Sequence, residues 1–142
     1  MREWVLEDYP IRSFDKLRYR DTDRQGHVNN AVFSTFLETG RADLLYSQHR
    51  PITHANGSFV MARLILDFRA EVLWPGDVSI GTGILAVGRS SVRMEQVIFQ
   101  NTRLVATAET VVVHVDNATR RSAPLSEEAV ASLSAFHLRK GT

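Results

Sequence analysis

A chain of 142 residues with 44% hydrophobic content matches one domain around one core and leaves little for a second. Seventeen basic and sixteen acidic residues give a formal charge of +1, too weak a field to recruit nucleic acid, and the absence of cysteine excludes disulfides, thiolate nucleophiles and cysteine-ligated metal centres. No apolar run reaches the roughly 18 residues that cross a bilayer, and residues 1–10 lack the apolar stretch of a signal peptide, so no membrane insertion and a cytoplasmic location are expected. His27, His49, His54, His114 and His137 show no close metal-ligand spacing, so no metal is expected. Fifteen of the 17 basic residues are arginine, whose fixed fork suits phosphate, carboxylate or an oligomer contact.

Polar and apolar residues alternate over 13–19, with Leu17 and Tyr19 on one face and Lys16 and Arg18 on the other, which predicts a short strand. Turn-forming residues follow from Asp21 to Gly26, and Asn29 or Asn30 can cap a helix by accepting a hydrogen bond from a free amide. Phe33, Phe36, Leu37, Gly40, Leu44 and Leu45 then recur at three- and four-residue intervals, the stripe of a long amphipathic helix. Gly40 inside it costs about 1 kcal/mol relative to alanine, a cost that close packing on a sheet explains. Pro51 and the loop through Asn56 and Gly57 end the helix, and the period changes to two. Leu64, Leu66, Phe68, Ala70 and Val72 share one face of a long strand, with Arg63, Asp67, Arg69 and Glu71 on the other. Short turns at Trp74 to Asp77, Gly88 to Arg89 and Asn101 to Thr102 separate three more strands, and turns this short impose antiparallel neighbours. A short helix is expected over 126–136.

One helix against one bent sheet makes an α+β domain over 1–142, with 1–10 and 138–142 as peripheral tails. Ile65, Val97 and Phe99 lie among charges on the opposite face, and a second copy of the chain, face to face or strand edge to strand edge, is expected to bury them.

The order of elements and the segment Asp23, Gly26, His27, Val28, Asn29, Asn30 after a first strand resemble the hotdog-fold acyl-CoA thioesterases of the 4-hydroxybenzoyl-CoA thioesterase-like superfamily. The Pro75-Gly76-Asp77 and Gly88-Arg89-Ser90-Ser91 turns, and Thr119, Arg120, Arg121 and Pro124 after the closing strand, extend the resemblance over nearly the whole chain. It implies a long central helix wrapped by a five- or six-stranded antiparallel sheet. It also implies a homodimer or dimer of dimers with sites at the interface, a catalytic carboxylate at Asp23, and an acyl-CoA substrate without a separate cofactor. Some relatives carry histidine where this chain has Asn30.

Thioester hydrolysis needs an attacking oxygen, a stabilised oxyanion and a guided acyl group. Asp23 can attack directly, forming an anhydride, or take a proton from water, although the same residue also serves to close an Asx turn. Gly26 lets backbone amides approach the carbonyl oxygen, as free amides up to the helix start can. His27 orients Asp23, bonds the thioester or braces the loop, and Asn30 is the candidate for holding water or the carbonyl. Glu38 and Arg41 are spaced to pair on the helix surface, or Glu38 faces the pocket. Ser58, Phe59, Val60 and Met61 are candidates to line the neighbouring protomer's acyl channel, Phe59 and Val60 being otherwise core. Arg89, Ser90, Ser91, Arg120 and Arg121 are candidates for the phosphates of coenzyme A. An acyl carrier protein as substrate partner, or acyl-thioester binding without catalysis, are the alternatives.

Overall fold

The computed structural model describes residues 3–46, 52–53 and 56–139. Pro51, His49 and His54, and residues 1–2 and 140–142 of the two tails, lie outside the described residues. Five strands form one antiparallel sheet: β1 (Ile11–Lys16), β2 (Gly57–Phe68), β3 (Asp77–Val87), β4 (Ser91–Gln100) and β5 (Arg103–Asp116), in the order β1-β3-β4-β5-β2. Helix α1 (Val32–Leu45) packs on its inner face, so this is the hotdog arrangement that the resemblance implies. No described helix is long and apolar enough to cross a membrane.

The first strand lies earlier than the alternation over 13–19 suggests. Leu17 N donates to Gly76 O at 2.8 Å in line with the β1–β3 register, and a 3-10 turn at Tyr19–Asp21, with Arg18 N donating to Asp21 Oδ2 at 2.9 Å, then takes the chain off the ladder. Leu17 is buried, whereas Tyr19 does not share its face: it is exposed and meets Trp74 edge to face at 5.3 Å.

All six residues of the α1 stripe are buried. Phe33, Phe36 and Leu37 meet Val78, Ile80, Ile98 and Val105, while Leu44 and Leu45 meet Ile84, Met94, Val112 and Leu133. Between these two apolar clusters lies a polar contact of helix with sheet. Gln96 Nε2 donates to Leu37 O at 2.9 Å and to Thr82 Oγ1 at 3.0 Å, and Arg41 donates to Gln96 Oε1 at 3.4 Å. Gly40 stands directly over it: a methyl group there would meet Thr82 Oγ1, with Gln96 Nε2 at 2.8 Å and Ile80 at 2.9 Å. The glycine is required by this close approach, not by its own backbone angles.

Helix α2 (Glu127–Leu133) begins where Ser126 Oγ accepts from Ala129 N at 3.0 Å, and a 3-10 turn at Ser134–Phe136 completes the expected segment. The outer face differs from expectation. Val97 and Phe99 are covered by the chain's own Trp4, Leu6, Tyr9 and Leu138, so they need no second copy. Tyr9 is buried and donates to Glu95 Oε2 at 2.6 Å, and Arg139 N donates to Asp8 O at 2.8 Å, tying the two terminal segments together. Ile65, on the edge strand β2, stays 41% exposed, with Val60, Met61 and Phe68 also exposed along that strand.

Candidate functional site

The loop between the 3-10 turn and α1 is organised around one carboxylate. Asp23 Oδ1 accepts from Gln25 N at 2.9 Å and from His27 N at 3.3 Å, and Asp23 N donates to His27 O at 2.8 Å. The Asx turn is therefore present, yet the carboxylate remains exposed and its other oxygen accepts no hydrogen bond among the described residues. Gly26, at φ 84°, turns the loop, and its N–H donates to Asp23 O at 3.1 Å.

Most amides between Gly26 and the first turn of α1 are already engaged. Val28 N donates to Val72 O, Asn29 N to Asp21 O, Val32 N to Asn29 O and Phe33 N to Asn30 O. Asn29 Oδ1 accepts from Ala31 N at 2.9 Å, so Asn29 is the capping amide of the pair, although Ala31 occupies the position flanking the helix. The Asn30 N–H and the exposed Asn30 side chain make no hydrogen bond among the described residues. Asn30 thus offers both a backbone and a side-chain donor at the helix start, beside the Asp23 loop.

His27 Nε2 lies 2.9 Å from Glu71 Oε2, and a backbone bridge joins His27 to Leu73. Sequence reasoning named His27 but missed Glu71, because 44 positions separate them and nothing local marks their pairing. Beyond Leu73, whose N–H donates to Gln100 Oε1 at 3.1 Å, the chain turns at Trp74 and Gly76 beside the end of β1. These contacts fasten the Asp23 loop to the end of the sheet that holds Lys16, Phe68, Asp77 and Gln100.

The remaining candidates gather at the other end. Ser58 donates to Asn117 at 2.6 Å, and Phe59 packs between Tyr46, at 6.3 Å between ring centres, and buried His114, at 5.2 Å. Val60 is exposed rather than core, and Met61 is exposed beside it. Arg89 and Ser90 form the β3–β4 turn and Ser91 opens β4; Arg89 O accepts from Leu125 N at 2.8 Å and Ser90 O from His114 N at 2.7 Å. Arg120, at φ 62°, and Arg121 are exposed in the loop after β5, which the bonds of segment 123–125 hold against that turn. One protomer therefore brings together Asp23, Gly26, His27 and Asn30 in one group and Ser58 with the arginine turns in another. The ten-residue β4 runs between the two ends, a separation of about 30 Å at ~3.3 Å per residue.

Along α1, Glu38 and Arg41 form no ion pair among the described residues; both line a groove with Tyr46, Phe59 and Met61. Burial pushes the Arg41 guanidinium below its usual value, with Glu38 acting in the opposite sense. Among the described residues, no three histidine or acidic side chains lie close enough to hold a metal ion.

The model of the thioesterase-like superfamily matches residues 17–133. A Thermus thermophilus thioesterase solved with coenzyme A and zinc is 34% identical, with a TM-score of 0.78 over 91% of this chain and 95% of that one. YbaW of Escherichia coli, a probable thioesterase, is 25% identical, with a TM-score of 0.76 over 89% and 98% of the two chains. The PA5185 protein of Pseudomonas aeruginosa shares the fold at a TM-score of 0.83 and 24% identity, over 93% and 94% of the two chains. No curated protein matches the sequence.

Proposed function

The chain belongs to the thioesterase-like superfamily, membership that supports hydrolysis of an acyl thioester, and from that premise we propose that it hydrolyses an acyl-CoA to the free acid and coenzyme A. Asp23 acts as general base or nucleophile. The observation that carries this reading is the exposed Asp23 carboxylate beside a helix start where Asn30 keeps an undonated N–H.

In the general-base form, Asp23 takes a proton from water as the oxygen attacks the thioester carbon. The carbonyl oxygen gains charge and accepts from the Asn30 N–H, an interaction worth about 3 kcal/mol in comparable oxyanion sites. The C–S bond then breaks, and the proton held by Asp23 passes to the departing thiolate. In the nucleophilic form, Asp23 attacks the carbon itself, the thiolate leaves, and water opens the resulting anhydride. His27, held to Glu71, fixes the loop that carries Asp23.

Coenzyme A binding is proposed to require a second copy of the chain. β2 is an edge strand with exposed Val60, Met61, Ile65 and Phe68, which suits pairing with another β2. Antiparallel pairing of two identical edges exchanges their ends. The partner's Ser58, Phe59, Val60 and Met61 then approach the end that carries Asp23, and the partner's Arg89, Ser90, Ser91, Arg120 and Arg121 become the cationic surface for the phosphates. The crystallised relative with coenzyme A supports this ligand class.

Thiol release from a panel of acyl-CoA thioesters tests the proposal. Wild type is expected to turn over at least one member, and Asp23→Asn to lose at least about a hundredfold in kcat. Turnover by Asp23→Asn near the wild-type rate would remove Asp23 from the chemistry. Failure of wild type on every member would shift the reading to carrier-protein thioesters or to binding alone.

A further inference from the structure

We propose that the groove between α1 and the first half of β2 receives the far end of the acyl group, and that Arg41 selects acyl groups ending in a hydrogen-bond-accepting oxygen. This deepens the thioesterase reading and rests on it for the position of the thioester. The groove has a volume of about 210 Å³, below the roughly 300–1,000 Å³ of pockets for drug-sized ligands, and so suits a short chain or a single ring.

Its walls are apolar. Leu45 and Val112 are buried, the Tyr46 and Phe59 rings meet edge to face, and Met61 lies at the rim. Among the described residues, one cation stands against these walls, Arg41, with its hydrogen-bonding capacity largely unused. A guanidinium has five N–H donors. Arg41 makes one hydrogen bond among the described residues, to Gln96 Oε1 at 3.4 Å, near the upper limit for such a bond.

Donors withdrawn from water without acceptors are costly, and a ligand oxygen entering the groove restores what the solvent supplied. Burial pushes Arg41 below its usual value, which agrees with partial removal from water, while Glu38 opposes the shift. Glu38 is exposed and does not close the fork by pairing with it. Among the described residues, the other titratable group on the groove is Tyr46, whose hydroxyl accepts from Phe59 N at 3.1 Å.

Phe59 and Met61 belong to the half of β2 that edge pairing brings toward the partner's Asp23. The groove then lies where the acyl chain of a thioester held at that Asp23 extends. A purely aliphatic end leaves the Arg41 donors unmet, whereas a hydroxyl or carboxylate end satisfies them. Glu38 favours the hydroxyl by repelling a carboxylate, so the two acceptors are distinguishable.

Three non-hydrolysable thioethers of coenzyme A test this by calorimetry: hexyl, omega-hydroxyhexyl and omega-carboxypentyl. Wild type is expected to bind at least one oxygen-ended ligand about tenfold more tightly than the hexyl ligand, and Arg41→Met to abolish that preference. If Arg41→Met does not fold, Arg41→Lys, which keeps the charge but loses the fork, is expected to reduce the preference. Glu38→Gln is expected to favour the carboxylate-ended ligand over the hydroxyl-ended one. Equal wild-type affinities, no binding of any ligand, or a preference unchanged by both Arg41 substitutions would overturn the assignment. Oxygen-dependent binding without turnover of any thioester would leave the groove assignment standing and reject hydrolysis.

Discussion

Asp23 is held in place by two backbone amides on one oxygen, and the second oxygen is the one proposed to meet the reactant. Asparagine retains an oxygen that accepts from those same amides but neither attacks nor takes a proton. Asp23→Asn is therefore expected to melt within about 3 °C of wild type while losing its activity, and Asp23→Ala, which deletes the turn, to lose stability as well. Thermal melts run beside the thiol assay decide this, and a large drop in Tm for Asp23→Asn would contradict it. His27 acts one step further away. His27→Ala or Glu71→Gln is expected to lower kcat by about tenfold or less, smaller than the loss at Asp23, with KM little changed. A His27→Ala loss equal to that of Asp23→Asn would promote the imidazole to a catalytic group. The sequence makes Asp23 and His27 conspicuous because they crowd a turn before a helix. It does not reveal that the Asn30 N–H stays free among the described residues, since that depends on the acceptors already taken by Val28, Asn29 and Val32. Nor does it reveal Glu71, which reaches His27 only after the sheet has formed.

The helix and the sheet meet most closely at Gly40. Alanine gains about 1 kcal/mol of helix propensity there. Its methyl group would also displace Thr82 and Gln96, which bond to each other and to Leu37 O, and press on Ile80. Overpacking of this kind costs about 1–3 kcal/mol, so Gly40→Ala is expected to unfold at lower urea than wild type. A more stable variant would contradict the close approach. The same close contact was foreseeable, because a glycine inside the apolar stripe of a helix points to a packed surface too near for a side chain. The end of β1 was not. Alternation continues past Lys16, and Leu17 N still bonds to Gly76 O in line with the β1–β3 register, but the 3-10 turn at Tyr19–Asp21, in which Arg18 N donates to Asp21 Oδ2, then takes the chain away. The long strands β3, β4 and β5 were legible because period-two patterning ran between short turns. The covering of Val97 and Phe99 was not, because Trp4, Leu6 and Tyr9 sit in a segment without periodicity.

At the scale of the whole molecule, the outer face is largely closed by the chain itself, while the β2 edge remains open with apolar side chains along it. The candidate residues divide between opposite ends of the sheet, and antiparallel edge pairing is the arrangement proposed to reunite them. The wild-type protein is accordingly expected to have the mass of a dimer or a dimer of dimers in solution. Complementation tests the shared site most directly. Asp23→Asn and Met61→Asp are each expected to be inactive alone, with both first shown to keep the wild-type mass. Random reassembly of equal amounts makes half the dimers mixed, and half the sites in those dimers carry neither substitution, so activity is expected to return to about a quarter of wild type. No recovery in a mixture that has formed mixed dimers would contradict a site built from two protomers.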